Sequence, residues 1–180
     1  METTKYNIPN FEDIITLPIF FSAWRAFVRG KKSKEDVAEF VLCLYSNLNM
    51  LRLDFMRGSY QHGGYLYFKV SDPKERDIHK ASVRDRVVHH LLYSVLYPYF
   101  ERFFIYDSYS CRDNKGTHRA LKRFAQFAYA LSQRNTQSVW VLKCDIRKCF
   151  ASVDQHILLA LLRQHIRCPR LFAVLESVIT

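Results

Sequence analysis

Apolar positions recur at three- and four-residue steps along most of the chain, broken by short aromatic and β-branched runs. Residues 10 to 29 read as a short helical region closed by Gly30. Ser33 and Asp36 resemble a capping box, with Asp in the usual Glu/Gln place, so a helix is expected to follow. Val37, Val41, Leu44, Leu48, Leu51 and Phe55 mark its apolar face, and Gly58 is its expected stop. That stripe reads as core packing. Gly63-Gly64 then punctuates the chain, and residues 65–70 (Tyr-Leu-Tyr-Phe-Lys-Val) read as a strand. Ser71-Asp72-Pro73 signals a turn, and Arg76 to Lys80 would complete a hairpin.

A helix is expected from Val83 to Tyr97, with Val87, Val88, Leu91, Leu92, Val95 and Leu96 as a wide apolar face and Pro98 as a kink or end. Residues 106–116 read as loop. Thr117 is a candidate cap for a helix whose Leu121, Phe124, Ala128 and Leu131 are expected to face inward. Val139 to Cys144 reads as a buried strand delivering Asp145 at its end, and a last helix is expected over 154–165. Helices, a hairpin, more helices, then strand and helix suit an α+β fold better than a doubly wound sheet.

Composition narrows the function classes. In 180 residues, 49% are hydrophobic and 15% aromatic, which excludes extended disorder. With 27 Lys+Arg against 17 Asp+Glu the formal charge is +10, which favours a polyanionic partner. Residues 71–140 hold 12 Lys+Arg and 7 Asp+Glu, against 9 and 7 in residues 1–70, so the excess falls in the middle of the chain. No run of about 18 apolar residues exists, and the N-terminus lacks a signal-peptide pattern, so a membrane role is not expected. The five cysteines include no Cys-x-x-Cys pair and no zinc pattern; reduced thiols in a cytoplasmic protein are the expectation.

The segment richest in chemistry is Asp145-Ile-Arg-Lys-Cys-Phe150-Ala-Ser-Val-Asp154. A carboxylate ending an apolar strand is costly unless a positive group sits beside it. Mg²⁺ is one such group, with the Ile146 carbonyl as a neighbouring oxygen ligand; a turn cap is the other reading of Asp145, and spacing alone favours the cap.

This segment resembles the first catalytic motif of bacterial reverse transcriptases of the group II intron and diversity-generating retroelement types. Two more stretches resemble the same family in the same order. Residues 74–88, from Lys74-Glu-Arg76 through Arg84-Asp85-Arg86, resemble its fingers motif. Residues 104–118, containing Ser108, Arg112, Gly116-Thr117 and His118, resemble the next fingers-to-palm motif. The resemblance covers roughly residues 20 to 165, and three ordered motifs are more specific than one.

The resemblance implies right-hand polymerase fingers and the beginning of a palm: a helical extension over 1–60, fingers over 61–135, and an incomplete palm over 136–180. It implies that Asp145, with the Ile146 carbonyl, binds Mg²⁺, and that Phe150 lies under the sugar of the incoming dNTP, where it would clash with a ribose 2′-OH. Lys74 and Arg76 would hold the triphosphate, Lys as a point charge and Arg bidentately. Arg84, Arg86 and Arg112 would touch nucleic acid or nucleotide. Each has a structural alternative: solvated hairpin charges for Lys74 and Arg76, a core aromatic for Phe150, and an ion-pair cluster for Arg84, Asp85 and Arg86.

Two departures stand out. Cys149 occupies a position where the family commonly has an aromatic. The family's second catalytic motif, Tyr-x-Asp-Asp on a hairpin, is missing, and no Asp-Asp pair occurs in the 180 residues. Asp154, nine positions after Asp145, is not expected to replace it. Residues 171–179 end the chain in an apolar run that does not read as a natural terminus. The expectation is therefore an RNA-directed DNA polymerase seen as an N-terminal fragment, inactive alone, with RNA template, DNA primer and dNTP as partners. The alternatives are a catalytically dead RNA-binding remnant of the same fold and a generic basic α+β domain.

Overall fold

A computed structural model describes residues 7–180. Eight α-helices and one hairpin are described: α1 (Phe11–Ile14), α2 (Leu17–Val28), α3 (Glu35–Leu42), α4 (Leu44–Arg57), β1 (Leu66–Ser71), β2 (Glu75–Lys80), α5 (Val83–Phe100), α6 (Thr117–Leu131), α7 (Gln155–His165) and α8 (Pro169–Ile179). The described residues are thus helix-rich α+β. They pack as two compact units. One comprises residues up to Tyr99 with Asp154–Thr180, the other Phe100–Val153.

The core of the first unit forms where the helical stripes meet. Phe11 stacks on Phe55 at 6.4 Å, Phe20 meets Phe55 edge-on at 5.4 Å, and Trp24 stacks on Phe40 at 5.3 Å. Val87, Val88 and Leu91 of α5 are fully buried in the same cluster. Helix α8 adds Leu171, Phe172, Val174 and Leu175, so the apolar run at 171–179 is core of this unit. Arg170 ties α8 to Glu12 and to the Met56 carbonyl, both at 2.8 Å.

The single helix expected after Ser33 is two. Cys43, at φ −122° and ψ 37°, breaks the helical run, and the Asn47 side-chain amide donates to the Phe40 carbonyl at 2.9 Å. Val41 is exposed as a result, while Val37, Leu48, Leu51 and Phe55 stay buried. The Ser33–Asp36 capping box does not form. Lys34 is the N-cap without a side-chain bond, and Asp36 pairs instead with Lys80 at 2.7 Å and with Arg86. Gly58 ends α4 in the left-handed region at φ 70°, where a Cβ would be strained. Pro98 sits inside α5, three residues before a 3₁₀ turn over Glu101–Phe103 begins.

The hairpin is antiparallel, with Leu66 opposite Lys80 and Ser71 opposite Glu75. Most of its residues are exposed on both faces.

In the second unit two expectations are corrected. Val139 to Cys144 forms no strand, and Trp140 is 97% exposed. A strand needs a ladder partner for its backbone groups, and among the described residues the only sheet is β1–β2. Helix α6 is amphipathic, but Leu121, Phe124 and Leu131 are exposed rather than inward, and no α6 residue is fully buried. Its N-cap is Gly116, with Thr117 the first helical residue.

Candidate nucleotide and nucleic-acid site

The hairpin presents two of the expected residues. Lys74 lies in the turn after Pro73, and Arg76 follows in β2 opposite Val70. Both are exposed, with no ion pair among the described residues. Beside them Lys69 pairs with Glu75, and Tyr67 donates to Asp77 at 2.6 Å. The turn therefore leaves these two cations available to an anion.

Arg84 and Arg86 lie in the first turn of α5, around a buried carboxylate. Asp85 is only 1% exposed. Ser82 Oγ accepts from the Asp85 N–H at 3.1 Å, as an N-cap does, and donates to Asp85 Oδ2 at 2.7 Å. Tyr60 Oη donates to Oδ1 at 3.0 Å, and the Gly63 N–H donates to Oδ2 at 3.2 Å. Gly63 is glycine for space: a Cβ there would stand 3.0 Å from Oδ2. Burial pushes the Asp85 carboxyl up, but the bonds from Ser82 and Tyr60, nearby His62 and the Gly63 amide outweigh it, and its pKa falls below the ordinary value. The same burial and the neighbouring carboxylate push the Tyr60 phenol well up.

Arg84 completes this network. Its Nη1 reaches Asp85 Oδ1 and the Gln61 carbonyl, each at 3.1 Å, its Nη2 reaches Asp54 at 2.8 Å, and its guanidinium lies 4.8 Å over the Tyr60 ring. Arg86 bonds Asp36 and the Ser82 carbonyl and lies 5.0 Å over Phe27. A phosphate reaching either arginine would have to compete with these carboxylates. Beside the network, His62 and His89 bring their Nε2 atoms within 3.0 Å, so one must donate and the other accept. Burial first, then His62, holds His89 below its ordinary pKa.

In the second unit Arg112 is similarly engaged. Its Nε reaches the two Glu101 carboxylate oxygens at 2.9 and 3.1 Å, and its Nη1 bonds the Ile105 and Ser108 carbonyls at 2.8 and 3.0 Å. The guanidinium thus fastens the loop after α5. Asp145 and Ile146 are exposed on irregular backbone, and Phe150, in a 3₁₀ turn over Cys149–Ser152, is 96% exposed. Phe150 is therefore not a core aromatic. Asp154 is a helix cap: its Oδ1 accepts from the His156 and Ile157 N–H groups at 2.8 and 3.0 Å. Among the described residues no cluster of His, Cys, Asp or Glu could hold a metal. Asp145 and the Ile146 carbonyl offer one anionic and one neutral oxygen, short of a two-metal clamp.

Two features escaped the sequence reading. The Ser82–Asp85 N-cap pair has the same spacing that drew attention to Ser33–Asp36. The other is a basic stripe on α6, Arg119, Lys122 and Arg123, whose three- and four-residue steps could have been read beside the apolar stripe of the same helix. The five cysteines are free thiols, four of them exposed. No described helix is long and apolar enough to cross a membrane.

No protein-family model matches the chain. Over 134 residues it is 25% identical to Protein YkfC of Escherichia coli (strain K12). That stretch covers 73% of this chain and 35% of YkfC, so the chain spans about a third of that relative's length.

Proposed function

We propose that this chain supplies the fingers and the opening of the palm of an RNA-directed DNA polymerase. In the reaction of that family a primer 3′-OH attacks the α-phosphate of a dNTP, and pyrophosphate leaves. The observation that carries the reading is the ordered set of three family-like motifs ending in Asp145-Ile-Arg-Lys-Cys-Phe150. The exposed cations Lys74 and Arg76 support it, because a triphosphate needs donors not already neutralised. The net charge of +10 supports a polyanionic template. The exposed Phe150 ring supports a role against a bound sugar more than one in packing.

Mg²⁺ belongs to this reading as the family's metal, held by Asp145 and the Ile146 carbonyl. Since these residues fall short of two metal ions, the chain's own part is to hold nucleotide and template, and transfer needs further carboxylates. A catalytically silent RNA-binding remnant is the second reading, favoured by the lack of an Asp-Asp pair.

The test is RNA binding across salt together with RNA-templated dNTP incorporation. Binding should weaken with a log–log slope of about −0.7 per phosphate contacted on a single strand. Incorporation by the 180-residue chain alone should be nil. Salt-independent binding would count against the polymerase reading, and incorporation by this chain alone would refute its incompleteness.

A further inference from the structure

In the first unit, the strap of residues 59–65 joins α4 to β1 and is fastened to α5 and α8 at three successive positions. The Gln61 carbonyl accepts from Arg84 at 3.1 Å, the His62 N–H donates to Ser177 Oγ at 2.8 Å, and the Gly63 N–H donates to Asp85 Oδ2 at 3.2 Å. At the middle position the His62 ring lies parallel to that of His89 on α5, with centroids 5.2 Å apart and Nε2 facing Nε2 at 3.0 Å. His62 Nδ1 lies 2.6 Å from the Gly63 carbonyl, which can only accept. Neutral His62 therefore keeps its proton on Nδ1 and offers a lone pair at Nε2, so His89 Nε2 is the donor. The other ionisable groups around the pair are Arg84, Asp85, Arg86 and His90 on α5 and Tyr65 on the strap, whose ring lies 5.0 Å from His62. Tyr65 in turn meets His79 of β2 edge-on at 6.5 Å, and α8 contributes the neutral Ser177. Asp85 favours a proton on His89; burial, His62, His90 and Arg86 oppose it.

We propose that residues 59–65 form a proton-operated latch: the strap stays docked on α5 and α8 while the His62–His89 pair carries at most one added proton, and a second proton releases it. One added proton fits the geometry. It sits on His89 Nδ1, or on His62 Nε2 once His89 has moved its own proton to Nδ1, and one N–H···N bond survives either way. Two added protons put hydrogen on both Nε2 atoms, so N–H opposes N–H at 3.0 Å between two half-buried cations. Parting the rings draws the strap off Asp85 and Ser177. Asp85 keeps Tyr60, Ser82 and Arg84 as donors, so the start of α5 holds and the opening stays local. The strap runs straight into β1, so its release frees one end of the hairpin. The latch rests on no nucleotide or nucleic acid and stands apart from the polymerase reading.

The test is amide hydrogen exchange by NMR on the full 180-residue chain between about pH 7.5 and about pH 5, each rate corrected for the intrinsic effect of pH. The His62 and Gly63 amides report directly, since each donates one of the fastening bonds. Asp85 stays ionised over this range, because its carboxyl lies below the ordinary 3.8. Protection of both amides should fall at least about ten-fold in acid, while the amides of Leu48 and Leu51 in the core keep theirs. The imidazole signals of His62 and His89 should titrate in two steps, with amide release tracking the second. His62→Gln gives His89 an acceptor oxygen and takes up no proton; His89→Gln offers His62 either end of an amide. In both variants the Gly63 amide should keep its protection in acid to within about two-fold. Strap amides that acid leaves unchanged in the wild type overturn the latch. So does release that follows the first proton, or that persists in either variant. Loss of core protection together with the strap overturns it in favour of a global acid transition.

Discussion

Replacing Asp85 by Asn keeps the shape of the side chain and removes its charge. Four donors converge on the two carboxylate oxygens: Tyr60 and Arg84 on Oδ1, Ser82 and the Gly63 amide on Oδ2. Asn has one acceptor oxygen and one donor group. If the new NH₂ faces Gly63, two N–H donors oppose each other in a buried site. If it faces Tyr60, it opposes the Arg84 guanidinium. Either orientation orphans at least one donor, at about 1–3 kcal/mol, and weakens charge-assisted bonds. We expect a net loss of about 2–4 kcal/mol, or about 5–15 °C in Tm for a chain of this size. Urea unfolding followed by tryptophan fluorescence reads this directly. The chain's two tryptophans are Trp24, in the core, and Trp140, exposed, so a Trp140→Phe background isolates the core signal. Tyr60→Phe removes one donor and leaves the charge with three, so its loss should be smaller, about 1–2 kcal/mol. An Asp85→Asn variant within about 0.5 kcal/mol of wild type would refute the claim that this carboxylate organises the start of α5.

Acid should destabilise the chain before its carboxylates titrate. Burial, and His62 after it, hold His89 below its ordinary value in the fold, while the unfolded chain takes up a proton near 6.5. The unfolded state therefore binds more protons below that value, and Tm should fall from pH 7.5 toward pH 5; His89→Gln should flatten the fall. The Asp85 contribution has the same sign at lower pH: present above about 3.8, it is lost as pH drops further. Asp154→Ala removes both bonds to the start of α7 and should cost about 0.5–2 kcal/mol by urea unfolding. Phe150→Ala should leave stability within about 0.5 kcal/mol of wild type because the ring is exposed; under the polymerase reading it should narrow the preference for dNTP over rNTP in nucleotide binding.

Periodicity made α4 and α5 legible, because a stripe of apolar residues three and four apart has one helical solution. The hairpin was legible from Asp72-Pro73 between two runs of strand-forming residues. Periodicity does not say what covers a face. It identified α6 as amphipathic but could not tell that Leu121 and Phe124 would stay exposed, nor that residues 139–144 would have no partner strand. The same limit applies to the site. The family resemblance singled out Arg84 and Arg112, but their neutralisation depends on Asp54, thirty residues from Arg84, and on Glu101, eleven from Arg112. Ser33–Asp36 and Ser82–Asp85 share one spacing, and only the second caps a helix. Asp36 is drawn away by Lys80 and Arg86, two cations distant in sequence.

Deoxynucleoside triphosphate binding tests the central claim most directly. Titrating the chain with a fluorescent dATP analogue in Mg²⁺ should give saturable binding, and Lys74→Ala/Arg76→Ala should weaken it at least about ten-fold, the loss of two charge-assisted contacts. A chain that binds no dNTP, or one whose binding ignores both substitutions, would contradict the polymerase account.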